Sequence, residues 1–452
     1  MAVVGATSAL AAQLLRGRGE PLPREVAEVA RACVLDTLGV GLLGCREPLV
    51  EKLDDIAAEH GSAAQCTVWG RSTRRSLADA ALLNASAAHA LDYDDMHIGA
   101  AMHPSAPVLA AGLAMAQVRA TSGGDLLRAM VLGLEAELRI GECINPSHYR
   151  RGWHATGTLG HFGAAAAAGT LLALDAVQME GALGLAATQS CGLKQTFGSM
   201  AKPFHAGHAA RDGVMAAVLA ARGFTCGSEM LEGPHGYGAA MSAEPDWSGL
   251  VRDWGERWAL SDILFKPHAS SFCTQALIEG VIRLRGSESP ASGVLQAIRA
   301  SVSGTSMRNA TIVRPATGME AKFSLSFAAA HAWVYGRAEH DDFTDDRVAE
   351  HPLNAVREKV AVTAGPGVAW PEAVVEIDFA GGTTKRVHVD LAREMDTAPK
   401  KWAVAVHKFR KIAPSVMGAA RAERIIEVVQ TIDEADSVDD LLALLAGTPG
   451  QG

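Results

Sequence analysis

Apolar residues recur at helical spacing through most of the first half of the chain. From Pro23 to Leu38 (PREVAEVARACVLDTL), a proline near the start and an i, i+3/i+4 apolar stripe predict a helix. Similar stripes follow at Leu77–Leu91, Ala106–Gln117, Asp125–Ile140, His161–Leu174 and Ala209–Arg222, joined by short Gly-, Pro- and Ser-containing stretches. No long period-two alternation interrupts them, so this half reads as all-helical. The texture changes near Trp254–Ile263. Beyond it come a helical pattern at Cys273–Leu284 and a strand-like run at Val294–Val302 (VLQAIRASV). A hairpin follows, Ala373–Phe379 and Thr384–Val389 around Ala380-Gly381-Gly382. Helical spacing returns from Lys401 through Arg421–Gln430 and Val438–Ala446. The predicted fold class is mainly α with an inserted α+β domain. Residues 1-261 and 396-452 would form a large all-helical domain, and residues 262-395 a smaller α+β domain inserted into it.

Composition agrees with close-packed helices. The 452 residues are 48% apolar and only 5% aromatic, with 46 glycines and many alanines. Small side chains suit tight helix crossings better than a β-sandwich, which would draw on Val, Thr and Tyr. The length allows two or three domains at roughly 100–200 residues each. With 41 Lys+Arg against 50 Asp+Glu, a net charge of −9 and no basic run, nucleic acid is not an expected partner. The seven cysteines (Cys33, Cys45, Cys66, Cys143, Cys191, Cys226, Cys273) are scattered and never form C-x-x-C. That pattern suits a reducing compartment and argues against a disulfide framework or a zinc ribbon. The first residues, MAVVGATSALAAQLLRGRGE, lack the basic n-region of a secretory signal. Gly152–Leu174 is charge-free and long enough to span a bilayer, but its histidines, threonines and glycines read as a buried helix with its approach loop. A soluble, cytoplasmic protein with no membrane partner is expected.

Gly39-Val40-Gly41-Leu42-Leu43-Gly44 matches G-x-G-x-x-G, yet the dinucleotide fingerprint needs a strand before it and a helix opening on it. Here the motif trails out of a helix, so close helix packing is the expected role. The histidines carry more. Ten of the sixteen lie between His89 and His268, mostly beside Gly, Pro, Ser or Thr. They gather in Asp92-Tyr93-Asp94-Asp95-Met96-His97 with Met102-His103-Pro104-Ser105, in His148-Tyr149 through Gly152-Trp153-His154, in Lys202-Pro203-Phe204-His205-Ala206-Gly207-His208, and in Phe265-Lys266-Pro267-His268. Each alone reads as a helix cap or a satisfied buried polar group; four loops of this kind together point to one shared site. A metal set could be drawn from Asp94, His97, His103 and His205 or His208. However, His205-x-x-His208 is not the i,i+4 helical pair and no cysteine joins it, so no metal and no cofactor is expected.

Lysines bind carboxylates as point charges, and removing a proton next to a carboxylate places further negative charge on it. Lys202 and Lys266 could stabilise that enolate-like species, while His, a desolvated Lys or a Tyr beside a cation could act as the base. In an acidic protein such local positive charge would draw in an anionic substrate. The pattern therefore suggests acid–base chemistry at a carbon flanked by carboxylates.

At these residues the sequence resembles the MmgE/PrpD family over essentially its whole length. The motifs that carry the likeness are HALDYDDMH (His89–His97), MHPSAPVL (Met102–Leu109), GWHATGTLGHFGAAAAAG (Gly152–Gly169), GSMAKPFHAGHAARDG (Gly198–Gly213), ILFKPHASSF (Ile263–Phe272) and RPATGMEAKFSL (Arg314–Leu325). The family includes 2-methylcitrate dehydratases, cis-aconitate decarboxylases and iminodisuccinate epimerases. The resemblance implies a homodimer of chains with a helical domain and an α+β lid domain, the site in the cleft between them, and metal-free chemistry on small anionic di- or tricarboxylates. Carried over by motif, the site would hold Asp92, His103, His154, Lys202 and Lys266, with Tyr149 nearby.

Four positions bear on the branch. Thr311 stands three residues before Arg314-Pro315, where the decarboxylases carry tyrosine, and Tyr149 stands five before His154, where they do not. Met96 replaces the usual Thr after the Asp pair, and Gln275 sits where Thr-His is common. Tyr149 with Lys202 and Lys266 looks like the iminodisuccinate epimerase pattern. An isomerase of that type is the expected activity. Tyr149 or Lys202 would exchange a proton on one face of the α-carbon and Lys266 on the other, with His103 and His154 holding carboxylates. Asp92, Met96, His97, His205 and His268 would complete substrate binding. The alternatives are a 2-methylcitrate dehydratase-like hydro-lyase and a non-catalytic carboxylate-binding member of the fold.

Overall fold

The computed structural model describes residues 5–286 and 294–447; the first four and last five residues, included in the expected helical domain, and residues 287–293, included in the inserted one, lie outside them. The described chain divides into two compact units. The first comprises residues up to Ala90, Asp94–Phe265 and Thr397 onward, and the second Leu91–Tyr93 with Lys266–Asp396.

The first unit is helical. Its main helices are α1 (Arg24–Gly44), α2 (Leu77–His89), α3 (Ser105–Arg119), α4 (Gly123–Ile144), α5 (Ala155–Leu171) and α6 (Ala201–Ala221). Local chemistry starts several of them: the Ser76 and Ser122 hydroxyls accept from the Asp79 and Asp125 amides, capping α2 and α4. Helix α5 is buried at every position and has no polar stripe, as a helix at the centre of a bundle must be. Its glycines set how closely neighbours approach. A Cβ on Gly157 would stand 2.9 Å from His205 Cβ, and one on Gly160 3.1 Å from Ala209 Cβ. From the other side, a Cβ on Gly213 would meet Ala164 Cβ at 2.5 Å. Helices α5 and α6 can cross this tightly only because these side chains are absent. The Gly39–Gly44 motif lies inside α1, as expected from its position. Its glycines face Phe409, Trp69 and the Ala87 carbonyl, which makes it a helix-packing device. No helix among the described residues is long and apolar enough to cross a membrane.

Element ends differ from the sequence reading in one place that matters. The helix expected from Ala209 starts at Ala201. Pro203 lies in the first helical turn, where its missing N–H has no intrahelical acceptor to lose. Lys202, His205 and His208 are therefore helical residues, not loop residues, and the i,i+3 pair lies on a single helix.

The second unit is α+β. Strands β1 (Leu295–Val302), β2 (Val360–Ala364), β3 (Glu372–Phe379) and β4 (Thr384–Asp390) form a sheet in the order β2-β1-β3-β4, with β1–β2 parallel and the other pairs antiparallel. Strand β3 alternates strictly, burying Ala373, Val375, Ile377 and Phe379, and pairs with β4 as the expected hairpin. Helix α7 (Gln275–Arg285) packs on that face, with Gly280 set against Val375. Strand β2 was not foreseen. It is a five-residue edge strand with no fully buried position, so it carries no apolar alternation.

Candidate active site

In the first unit the fold gathers four imidazoles in a row. His103, His89, His154 and His205 have successive ring centroids 4.7, 5.7 and 5.2 Å apart. His89 ends α2, His103 lies in the loop before α3, His154 is the N-cap residue of α5 and His205 lies one turn into α6. Phe197 closes one side, its ring edge-on to His154 at 5.1 Å, and Lys202 Nζ lies 5.5 Å from the Phe197 ring.

Partners fix the orientation of each ring. His89 Nδ1 lies 2.7 Å from Asp94 Oδ2. His103 Nδ1 donates to the Asp95 carbonyl at 2.7 Å, with Asp94 Oδ1 at 3.5 Å, and its main-chain N–H donates to Thr156 Oγ1. His154 and His205 face each other through their Nδ1 atoms at 2.9 Å. Such a contact holds one proton: one Nδ1 donates and the other accepts. Burial, then the nearby Lys202 ammonium, pushes His154 well below the usual histidine range, and burial pushes His205 down to about 4. Both rings are neutral at pH 7. Asp95 is pushed up to about 8, chiefly by burial, and binds Ser105 at the start of α3, so it holds the loop rather than serving as a charged group.

Tyr149 lies on the one-turn helix Ser147–Arg150, where Lys194 Nζ stands 3.6 Å from its ring centroid. Gly152–His154 is zipped to Gly192–Lys194 by His154 N–H to Gly192 O and Lys194 N–H to Gly152 O, at 3.0 and 2.9 Å. This short ladder fixes Lys194 against Tyr149 and orients the His154 ring from its own main chain.

Other expected residues go elsewhere. His97 accepts from the Ala100 amide at its Nδ1 and faces Glu142, which Arg257 already engages through two bonds, so His97 belongs to a separate charged cluster. Met96 is a buried residue of a two-residue ladder with Leu264. The metal set drawn from the sequence is divided accordingly. Asp94 and His103 join His89, His97 joins Glu142 and Asp262, and His208 joins His161 and Asp212. A cavity of about 230 Å³ lined by Arg46, Arg71, Ser72, Thr73 and Arg421, among others, contains none of the expected site residues.

The second unit holds the remaining pair. Lys266 is fully buried, and its Nζ donates to Asp92 Oδ1 at 2.7 Å and to the Asp92 carbonyl at 2.6 Å. Asp92 sits at φ +53°, a left-handed conformation that lets one residue present both oxygens to one ammonium. Lys322 Nζ donates to Leu91 O, and the Tyr93 hydroxyl to Pro267 O, which ties Leu91–Tyr93 into this unit. Gln275 accepts from the His268 amide and donates to the His268, Ser270 and Ser271 carbonyls, shaping the loop after Lys266. The His268 ring pairs with Glu279 at 3.2 Å.

Comparison with known proteins places the chain in a family. The MmgE/PrpD N-terminal domain model matches residues 8–250 and the MmgE/PrpD C-terminal domain model residues 268–434. The chain belongs to the MmgE/PrpD family. Among its relatives are a cis-aconitate decarboxylase-like protein of Aspergillus oryzae, 26% identical over 94% of both chains, and cis-aconitate decarboxylase of Aspergillus terreus, 27% identical over 94% of this chain and 93% of that one. The human cis-aconitate decarboxylase is 24% identical over 94% of this chain and 91% of its own. The Aspergillus terreus and human relatives are, by name, decarboxylases of a carboxylate.

Two residues of the cluster were missed from sequence. His89 was quoted in its motif but given no role, although its five-residue spacing to Asp94 across a helix end foreshadows the contact. Lys194 had no sequence signal at all, because its partner Tyr149 is reached only through the Gly152–Lys194 ladder.

Proposed function

We propose that this MmgE/PrpD protein is an acid/base enzyme acting on small di- or tricarboxylates, exchanging a proton at a carbon next to a carboxylate, as an epimerase of the iminodisuccinate type does. The observation that carries the reading is the row of four imidazoles, three buried and His205 partly so, two of them neutral, with the Lys202 ammonium beside it. A neutral imidazole, here His154, offers an N–H donor to a carboxylate oxygen without fixing so much charge that product is held. Lys202 stabilises the negative charge that develops when the α-carbon loses its proton and the electron pair moves onto the carboxylate. His205 is a positioning residue. When its Nδ1 donates to His154 Nδ1, the His154 proton sits on Nε2, an atom with no hydrogen-bond partner among the described residues.

Tyr149 favours epimerisation within this reading. Its phenol, next to a fixed ammonium, gives or takes the α-proton. Return of a proton to the face opposite its removal inverts the centre.

A lyase is the second reading, favoured by the decarboxylase relatives that span nearly the whole chain. There the cleaved C–C bond leaves its electron pair on the same stabilised carbon, CO₂ departs, and one protonation completes the turnover. Proton NMR in D₂O over a panel of iminodisuccinate, citrate and aconitate derivatives separates the two. Deuterium at the α-carbon with loss of optical purity supports the epimerase, and release of CO₂ or a new alkene supports the lyase. No exchange or turnover on any member would refute both. Lys266→Ala should abolish turnover; full activity would remove Lys266 from the mechanism.

A further inference from the structure

Seven residues beyond His154, helix α5 carries His161; one and two turns beyond His205, helix α6 carries His208 and Asp212. The tight crossing made by Gly157, Gly160 and Gly213 brings these three together as well. His161 Nδ1 lies 2.7 Å from the Gly157 carbonyl oxygen one turn back. A carbonyl only accepts, so Nδ1 carries the proton, and the neutral ring presents a bare lone pair at Nε2. That atom is buried, has no hydrogen-bond partner among the described residues, and stands 3.9 Å from Asp212 Oδ2. His208 Nε2 approaches the same oxygen at 2.9 Å, while Arg211 engages the other carboxylate oxygen at 2.7 Å. A lone pair 3.9 Å from a carboxylate oxygen is a place for a cation.

We propose that His161 Nε2, His208 Nε2 and Asp212 Oδ2 form a binding site for a divalent transition-metal ion of the zinc class, with a fourth position open to water. Two imidazoles and one carboxylate suit such an ion rather than magnesium or calcium. The outer contacts are those of a metal site: the buried imidazole donates its other N–H to a main-chain carbonyl, and the carboxylate is anchored by a guanidinium. The three ligand atoms lie within 4.8 Å of one another. Bonds of about 2.0–2.1 Å hold tetrahedral ligands roughly 3.3–3.4 Å apart. The 2.9 Å contact must therefore open, and the 3.9 Å contact close, each by about half an ångström. His208 and Asp212 are partly exposed, so the ion has a route in and the side chains have room to adjust. The other two clusters are different in kind: His89–Asp94–His103 belongs to the active-site row, and in His97–Glu142–Asp262 the Arg257 guanidinium already supplies the positive charge. A bound ion would pin α5 to α6, the helix pair that carries His154, Lys202 and His205.

The test is a Co²⁺ titration of the chelator-stripped full chain, read by the visible bands of four-coordinate Co²⁺ and by competition with Zn²⁺. One ion per chain should bind. Asp212→Asn and His208→Gln, both at partly exposed helical positions and checked for folding by circular dichroism, should each weaken binding roughly tenfold or more. His103→Gln, in the other histidine cluster, should bind as the unaltered chain does. Absence of the cobalt bands, wild-type affinity in both helix variants, or loss in His103→Gln alone would overturn the proposal.

Discussion

Asp92 offers the sharpest test of how the second unit holds its lysine. The fully buried Lys266 ammonium rests on two oxygens of this one residue, a carboxylate at 2.7 Å and a main-chain carbonyl at 2.6 Å. Removing one partner of a buried ion pair costs about 3–5 kcal/mol, because the remaining charge stays out of water. Asp92→Asn keeps the carbonyl, keeps an amide oxygen as acceptor and tolerates φ +53°, so its cost belongs at the low end, about 3 kcal/mol. Asp92→Ala also loses the side-chain acceptor and places a non-polar Cβ residue in the left-handed region, which adds roughly 1–2 kcal/mol. Exchanging both partners, Asp92→Asn with Lys266→Met, removes the uncompensated charge and should recover most of the loss. The assay is urea unfolding followed by hydrogen exchange of peptides from β1, β3 and β4, which reports on this unit alone. If Asp92→Asn falls within about 1 kcal/mol of the unaltered chain, or Asp92→Ala is no worse than Asp92→Asn, the ion pair and the backbone conformation do not act as described.

Two further outcomes follow from the helical unit. Gly213→Ala places a Cβ 2.5 Å from Ala164 Cβ and 2.7 Å from the His161 carbonyl, so it should destabilise by about 1–3 kcal/mol and lower turnover by moving α6 away from His154; an unchanged melting temperature would contradict the tight crossing. His148, held by Thr158 and the Met241 carbonyl, is pushed down to about 4, chiefly by burial. Its folded value lies below the unfolded one of about 6.5, so its contribution is complete above pH 6.5 and is lost as the pH falls toward 4. The melting temperature should drop across that window and drop less in His148→Gln; equal pH profiles would remove His148 as a cause.

Much of the fold was legible because its signals are local. Apolar spacing located α1 to α6, strict alternation located β3, and the glycine motif at Gly39–Gly44 was read correctly because a helix, not a strand, leads into it. Where local signals conflicted, the reading failed. The first two turns of α6, Ala201–His208, were read as loop, and the half-exposed β2 left no pattern to find.

The sequence by itself determined the residue types of the candidate site, its four segments and the family, since these depend on which side chains are present and at what spacing. Tertiary structure decided which of them meet. Only the close crossing of α5 and α6 puts His154 against His205 and His161 beside Asp212, and only that burial makes the first two rings neutral. His97, equally prominent in the sequence, is drawn away to Glu142 because its neighbours in the loop give its ring another place to go. Desolvation and contact between helices are long-range properties, set by glycines far along the chain from the histidines they bring together.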